Sequence, residues 1–283
     1  MFLAFKLVTP IPSIDNHSLP PNLQSHESGG FEYIDSGEDH ERPPILLLHG
    51  LLGNPEGWFD AASALVANGY RAIVPNLKMD DLPRKQASVQ GLVDYVYKFT
   101  TFLGLDEMIL VGNSLGGQIA VRYITCHPKH VAGLILSASS GIYETEVGHT
   151  TFRRNDRQYI RVKAEKTFYD PAMVTEELLD RISDIATNRL RALRFVWLAR
   201  SSMKDLVVDE LSDVNVPAFL IWGSEDQITP PDVAHMFQEL LPNAMLRFIE
   251  KCGHAPMMER PEAFNQLMIE FLDRSFSKVT TPA

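Results

Sequence analysis

The chain of 283 residues has little of several features that mark particular classes of protein. Its two cysteines are too few for a disulfide framework, and isolated thiols favour a reducing compartment. No apolar run approaches the roughly 18 residues that a membrane span needs. The net charge of −10, with no block of Lys and Arg, disfavours binding to nucleic acid or to an anionic membrane. These properties predict a soluble, globular, cytoplasmic protein.

The N-terminal residues are apolar but do not read as a secretion signal. Residues 1–8 lack a basic start and a small-residue cleavage site, so we expect no signal peptide. Residues 10–21 contain four prolines and predict an irregular connection. We therefore interpret residues 1–30 as a leader segment ahead of the folded core.

Hydrophobic patterning predicts an α/β protein, because short Leu-rich or β-branched runs alternate with amphipathic stretches. The predicted strands are 45–49, 71–75, 108–112, 131–137, 218–222 and 245–249. The predicted helices are 56–68, one that starts after Ser88, 115–126, 174–185, 190–203, 232–241, and one that follows Pro261. Only helical patterns occur between 141 and 213. The sequence thus predicts an α/β core of residues 31–140 and 214–283, interrupted by a helical cap of residues 141–213.

The sharpest local motif is Gly112-Asn113-Ser114-Leu115-Gly116-Gly117, which joins a predicted strand directly to a predicted helix. A serine on such a tight turn has a strained backbone, and glycines two residues either side avoid a collision. The turn exposes the hydroxyl of Ser114 as a candidate nucleophile. It also places the N–H of Leu115 at a helix N-terminus, where it can stabilise an oxyanion. The alternative is a glycine-rich turn with a passive serine.

A second turn, His49-Gly50-Leu51-Leu52-Gly53, follows the predicted strand 45–49. A loop at this place in a parallel sheet can bring another backbone N–H to the nucleophile, and Leu51 is the expected donor. In the alternative interpretation, His49 is a buried structural imidazole in an ordinary loop.

A serine nucleophile needs a base and an orienting carboxylate. Among nine histidines, His254 stands apart because it follows a strand and precedes the last helix. The loop after the preceding strand offers Asp226, with Glu225 as the runner-up. An Asx-type turn residue is the alternative for Asp226. The order strand–Ser, strand–Asp, strand–His favours a catalytic triad of Ser114, Asp226 and His254.

With these motifs, the sequence resembles the α/β-hydrolase fold family over residues 31–276. The resemblance rests on the His49-Gly50 turn, the Ser114 motif, Trp222-Gly223-Ser224-Glu225-Asp226, and Gly253-His254 followed by Glu259-Arg260-Pro261-Glu262. It implies a central, mostly parallel sheet of about eight strands, with helices on both faces and the insertion as a cap over the active site. It also implies acyl-enzyme catalysis with neither a cofactor nor a metal ion.

Departures from particular subfamilies narrow the expected activity. Ser114 stands where epoxide hydrolases and haloalkane dehalogenases have Asp, and His-Gly-Leu-Leu replaces the His-Gly-Gly-Gly run of hormone-sensitive-lipase-like esterases. The Ser114 motif and Lys251-Cys252-Gly253-His254 look like carbon–carbon bond hydrolases that open ring-cleavage products. Those enzymes tend to carry Gly-Pro-Gly near the oxyanion turn and Trp after the histidine, where this sequence has Leu52-Gly53-Asn54 and Ala255.

We therefore expect a capped serine esterase that cleaves a small to medium, apolar carboxylic ester. The alternative is a carbon–carbon bond hydrolase acting on a vinylogous diketone. A further alternative is a receptor-like member that binds a ligand and turns over slowly. The sequence leaves the oligomeric state open.

The expected pocket is apolar. Besides the oxyanion turn, the candidate substrate contacts are Gly50, Trp58, Asn113 and Met257. Core packing explains the cap aromatics Phe168, Phe195 and Trp197 better than substrate contact does. Arg153, Arg154 and Arg157 are better explained as a solvated helix face than as a site for an acidic substrate.

Overall fold

The structure is a computed structural model that describes residues 19–37, 42–145 and 156–276. The strands are β1 Gln24–Ser28, β2 Phe31–Asp35, β3 Ile45–Leu48, β4 Ala72–Pro75, β5 Met108–Asn113, β6 Val131–Ser137, β7 Ala218–Gly223 and β8 Ala244–Ile249. The α-helices are α1 Phe59–Ala67, α2 Val89–Phe102, α3 Leu115–Cys126, α4 Arg157–Glu165, α5 Glu176–Thr187, α6 Arg189–Ser202, α7 Pro231–Leu240, α8 Pro256–Glu259 and α9 Pro261–Phe276.

All eight strands form one sheet in the order β1-β2-β4-β3-β5-β6-β7-β8. The pairs β1–β2 and β2–β4 are antiparallel, and every other neighbouring pair is parallel. The predicted α/β fold with a mostly parallel sheet of about eight strands is confirmed. Because β3 and β5 to β8 run the same way, the loops that follow them meet at one edge of the sheet.

Both faces of the sheet are covered by apolar packing. Strands β3, β5 and β7 are buried along their whole length, as their continuous apolar sequences predict. One core lies against α2, α3 and α7, and a second lies against α1 and α9. Helix α2 begins where the sequence predicts it, because the hydroxyl of Ser88 accepts a hydrogen bond of 3.0 Å from the N–H of Gly91.

Strand β1 lies inside the segment that the sequence pattern assigns to a leader. It pairs with β2 along five residues, so this part of the segment extends the sheet and the core begins before residue 31. Its sequence, Gln-Ser-His-Glu-Ser, is polar because an edge strand is exposed along one side. Residues 1–8, which we expect not to be a signal peptide, lie outside the described residues.

Between β6 and β7, the described residues form helices and turns and no strand. Helix α6 docks on the core through polar contacts. Nε of Arg194 donates to the carbonyl oxygen of Leu82 at 2.9 Å, and the hydroxyl of Ser201 accepts from the N–H of Val89 at 3.0 Å. That this insertion covers the active site as a cap stays a prediction.

Of the three arginines singled out in the sequence, only Arg157 lies among the described residues. Arg157 begins α4 and lies 2.7 Å from the carboxylate of Glu176 on α5, which fits the predicted solvated helix face. Arg153 and Arg154 lie outside the described residues.

Over the ranges that the structure covers, no helix is both long and apolar enough to cross a membrane.

Candidate active site

Ser114 occupies the turn between β5 and α3. Its backbone has φ 54° and ψ −123°, a conformation that costs a non-glycine residue free energy. A Cβ built on Gly116 would overlap the carbonyl oxygen of Leu48, so this position has no room for a side chain. The sequence prediction of a strained serine between glycines therefore matches the backbone found here. Such a turn lifts the hydroxyl of Ser114 clear of the sheet.

A second hydroxyl lies beside Ser114. The Oγ atom of Ser140 is 3.3 Å from Oγ of Ser114, and Ser140 is 1% exposed. The N–H of Ser140 also donates to the carbonyl oxygen of Ser114 at 3.1 Å. Sequence reasoning missed Ser140, although its place just after β6, the neighbour of β5, is the signal that could have found it.

Asp226 and His254 meet at the same edge of the sheet. Nδ1 of His254 lies 2.9 Å from Oδ2 of Asp226, and the two residues are 6% and 3% exposed. A carboxylate only accepts hydrogen bonds, so Nδ1 carries the proton and Nε2 is left as the acceptor that a general base needs. Glu225 points elsewhere, because its Oε2 accepts from the N–H of Cys252 at 2.9 Å. Of the two predicted carboxylates, the structure brings Asp226 to the imidazole.

The carboxylate of Asp226 is itself held by the loop after β7. Its Oδ1 accepts from the N–H groups of Ile228 at 2.8 Å and Thr229 at 3.1 Å. The hydroxyl of Thr229 donates to Oδ2 at 2.8 Å and lies 3.2 Å from Nδ1 of His254. Sequence reasoning missed Thr229, three residues after Asp226. Asp226 itself closes the Asx-type turn, because its Oδ1 accepts from the N–H of Ile228 two residues on.

The surroundings of His254 raise its pKa. Burial disfavours the imidazolium ion, but the charge and hydrogen bond of Asp226 outweigh burial, and the charge of Glu144 adds to them. The net effect places the pKa above its usual value of 6.5. Asp226 therefore stabilises the imidazolium ion that His254 forms when it takes a proton, as acid–base catalysis requires.

His49 is a structural imidazole that fixes the turn after β3. Its Nε2 accepts from the N–H of Leu77 at 3.2 Å, so Nδ1 carries the proton and donates to the carbonyl oxygen of Gly50 at 3.0 Å. Burial lowers its pKa to about 4, against the effect of the Gly50 hydrogen bond and with a contribution from the charge of Arg181. The neutral ring keeps the turn in one shape.

This turn lies against Ser114. A Cβ built on Gly50 would be 3.0 Å from Cβ of Ser114. In the part of the chain that the structure describes, the N–H groups of Leu51 and Leu115 have no hydrogen-bond acceptor. Unpaired N–H groups in this turn and at the start of α3 can bind the oxygen of a tetrahedral intermediate.

The predicted substrate contacts differ in their placement. Both N–H groups of the Asn113 amide are used internally, by the carbonyl oxygens of Ser137 at 3.1 Å and His254 at 3.0 Å. This amide ties the end of β5 to the loop that carries His254. Trp58 is fully buried and its ring packs 6.0 Å from that of Phe264, which is a core position. Met257 is also buried, in the same apolar core. Contact of these side chains with substrate stays a prediction.

The three aromatic side chains of the insertion that the sequence singles out lie in or against the core. Phe168 and Phe195 are buried, and Trp197 packs against the core with the guanidinium of Arg84 at 5.5 Å from its ring centre. This fits their predicted role in packing.

Cys252 lies two residues before His254. Its thiol is buried, and burial, followed by the charge of Glu259, raises its pKa to about 12. It therefore stays protonated and is a poor nucleophile.

Among the described residues, no group of three His, Cys, Asp or Glu side chains is arranged to hold a metal ion.

The proteins to which the chain is similar include hydrolases of different substrates. The chain is 25% identical to human monoacylglycerol lipase ABHD6 over 87% of this chain and 80% of that protein. It is 29% identical to a 2-hydroxy-6-oxononadienedioate/2-hydroxy-6-oxononatrienedioate hydrolase of Paraburkholderia phymatum, over 86% of this chain and 92% of that protein.

A solved structure of similar fold is an α/β hydrolase enzyme from the metagenome of lagoon sediments at Mar Chica, Morocco. It superposes with a TM-score of 0.72 at 30% identity, and the match covers 89% of this chain and 98% of that chain. The sequence model of the Alpha/beta hydrolase family matches residues 45–267, which is more than half of the chain. The chain therefore belongs to the α/β-hydrolase family.

Proposed function

We propose that this α/β-hydrolase is a serine esterase that cleaves a small to medium carboxylic ester through an acyl-enzyme. The observation that carries the proposal is the buried hydrogen bond between Asp226 and His254 at the sheet edge where Ser114 stands on its strained turn. Ser114 is the proposed nucleophile, His254 the base, and Asp226 the group that orients the imidazole. Leu51 and Leu115 are the proposed oxyanion donors.

The first half of the reaction forms the acyl-enzyme. Oγ of Ser114 attacks the ester carbonyl carbon while its proton passes to Nε2 of His254. The carbonyl oxygen becomes an oxyanion that accepts from the N–H groups of Leu51 and Leu115, and losing one such donor costs about 3–4 kcal/mol. The carbon–oxygen bond to the alcohol then breaks, and the alcohol takes the proton from His254.

The second half uses water in place of the serine. His254 takes a proton from a water molecule, which attacks the acyl carbon and forms a second oxyanion in the same place. The bond to Oγ of Ser114 breaks, and the serine recovers its proton from His254. Acid and enzyme are released, and none of these steps requires a redox change.

The likeness to a monoacylglycerol lipase supports an ester as substrate. We place the reaction on a small to medium apolar ester, in keeping with the apolar side chains of Leu51 and Leu115 on the two turns around Ser114. The net charge of −10 supports neither nucleic acid nor an anionic membrane as a partner. On the same composition, we assign the enzyme to the cytoplasm.

Carbon–carbon bond hydrolysis is the second candidate. The 29% identity to a hydrolase of a 2-hydroxy-6-oxo diacid favours it, as does the Ser114 motif. Here the nucleophile would attack the ketone of a vinylogous diketone. The carbon–carbon bond would break, and the departing dienolate would take a proton at carbon.

The test compares both substrate classes on the same protein. Wild type and Ser114→Ala are assayed with p-nitrophenyl esters of increasing acyl length and with one vinylogous diketone ring-cleavage product. We expect steady turnover of the esters, lost in Ser114→Ala and retained in Ser63→Ala, a serine that lies on α1 away from the site. Faster turnover of the diketone would favour the second candidate. A single burst without turnover would instead favour a receptor that binds its ligand covalently.

A further inference from the structure

Glu259 is a buried carboxylate close to the candidate active site. It ends the short helix α8 and is 5% exposed. It accepts three backbone hydrogen bonds, from the N–H of Gly253 at 2.6 Å, of Asp170 at 2.7 Å and of Tyr169 at 3.2 Å. Charge-assisted bonds of this length are among the stronger polar interactions in proteins. The side chain therefore holds two separate chain segments together.

One of these segments carries His254, and the other belongs to the helical insertion. Gly253 directly precedes His254 in the loop after β8, whereas Tyr169 and Asp170 follow α4. The two segments also touch directly. The N–H of His254 donates to the carbonyl oxygen of Thr167 at 2.7 Å, and a Cβ built on Gly253 would lie 2.6 Å from that same oxygen.

Glu259 forms no ion pair within the described residues. A buried carboxylate loses its hydration, which only well-placed donors can replace. The three backbone N–H groups supply that replacement, and they can do so only while the two segments stay together. The carboxylate thus stabilises one particular placement of the His254 backbone.

We infer that Glu259 is a positioning residue for His254, which rests on the proposed role of His254 as the base. Through Gly253 and the 167–170 segment, it fixes where the imidazole stands relative to Ser114. Asp226 sets the rotation of the ring, whereas Glu259 sets the place of the backbone that carries it. The insertion thereby supports the base directly, in addition to any role in covering the substrate.

The test uses two esters of the same acid. Their leaving groups differ in whether they must take a proton as they depart. The phenolate of p-nitrophenyl butyrate leaves without protonation, whereas the alkoxide of ethyl butyrate must take a proton from His254. A displaced imidazole therefore slows the ethyl ester more than the aryl ester. Loss of folded protein lowers both rates equally and leaves the ratio of the two kcat/KM values unchanged.

We expect Glu259→Gln to lower kcat/KM for ethyl butyrate about tenfold further than for p-nitrophenyl butyrate, since small misplacements of a catalytic group have effects of this order. The amide puts a donor against the backbone N–H groups. Glu259→Asp keeps the charge and should give a smaller change in the ratio, and it carries the test if the Gln variant does not fold. Glu262→Gln, at an exposed carboxylate in the first turn of α9, is the matched control and should leave the ratio at the wild-type value.

Two negative results have different meanings. If wild type turns over both esters but Glu259→Gln and Glu259→Asp leave the ratio unchanged, Glu259 has only a structural role and the inference is wrong. If wild type hydrolyses neither ester, the proposed esterase function fails instead.

Discussion

Oδ2 of Asp226 lies 2.9 Å from Nδ1 of His254, and this contact determines the pH at which the imidazole is neutral. The carboxylate favours the imidazolium ion, so the pKa of His254 is raised above 6.5 in spite of burial. A general base acts in its neutral form. We therefore expect kcat/KM of wild type to fall on the acid side with a midpoint above pH 6.5. A pH–rate profile with p-nitrophenyl butyrate measures this midpoint.

The Asp226→Asn variant should change both the midpoint and the rate. Without the carboxylate charge, the imidazolium ion is less stable and the acid midpoint moves to lower pH. The amide can also stabilise the wrong tautomer, so kcat should fall by about 10³–10⁴-fold. Glu225→Gln is the control, because Glu225 binds the N–H of Cys252 and does not touch the imidazole. An equal shift of the midpoint in both variants would contradict the assignment of Asp226.

The backbone of Ser114 gives a third prediction, which separates activity from stability. Its φ of 54° suits glycine better than any residue with a Cβ. We expect Ser114→Ala and Ser114→Gly both to lose activity, but Ser114→Gly to be more stable than Ser114→Ala by about 1 kcal/mol. Urea unfolding of the two variants measures the difference. Equal stability would mean that the turn relaxes when the hydroxyl is removed.

Gly116 gives a fourth prediction, because a Cβ there would overlap the carbonyl oxygen of Leu48. Gly116→Ala must push α3 away from β3, and we expect a loss of about 1–3 kcal/mol in the free energy of unfolding, the usual cost of overpacking. The value of kcat/KM should fall by more than the loss of folded protein explains, since the shift moves Ser114 relative to His49 and the turn that follows β3.

Gly57→Ala is the matched control for this substitution. A Cβ on Gly57 would meet the sulfur of Met258 at 3.4 Å, an ordinary contact with a flexible side chain. Its thermal unfolding and its kcat/KM should stay close to those of wild type. If Gly57→Ala lost as much stability and activity as Gly116→Ala, the effect at Gly116 would not come from the lack of space beside Leu48.

Local features of the site were predictable from the sequence, whereas contacts across the fold were not. The strand, turn and helix around Ser114 follow from residues adjacent in the chain, and α3 begins and ends where the pattern predicts. The sequence favours Asp226 over Glu225 but does not decide between them. The conformation of the loop determines which way these neighbouring side chains point. Glu259 bonds to Asp170, 89 residues away, and sequence spacing carries no signal for such a contact.

The two strands at one edge of the sheet, β1 and β2, are both absent from the predicted strands, and β1 is absent for a different reason. Hydrophobic patterning finds strands that are buried, such as β3 and β5. Strand β1 is polar and lies at the edge, so its sequence is indistinguishable from a loop. It forms a strand by pairing with β2, and the sequence pattern does not show this pairing.

His49 gives the last prediction, a pH-dependent contribution to stability. Burial lowers its pKa to about 4 in the folded protein, below the value of 6.5 for an unperturbed imidazole. Between these values the unfolded chain binds a proton at His49 and the folded chain does not. Stability from the neutral ring is therefore complete above about pH 6.5 and is lost as the pH falls toward about 4. A gap of this size corresponds to about 3 kcal/mol.

Replacement of His49 by Asn removes this titration and also removes the acceptor for the N–H of Leu77. At about pH 7, His49→Asn should be less stable than wild type, because a buried donor is left unpaired. At about pH 5, the difference in the free energy of unfolding should shrink, because wild type then loses the stability that its neutral imidazole provides. His235→Asn, at an exposed position on α7, controls for the loss of an imidazole as such. If urea unfolding gave the same gap between wild type and His49→Asn at both pH values, His49 would not be the neutral ring that holds the turn of residues 49–53.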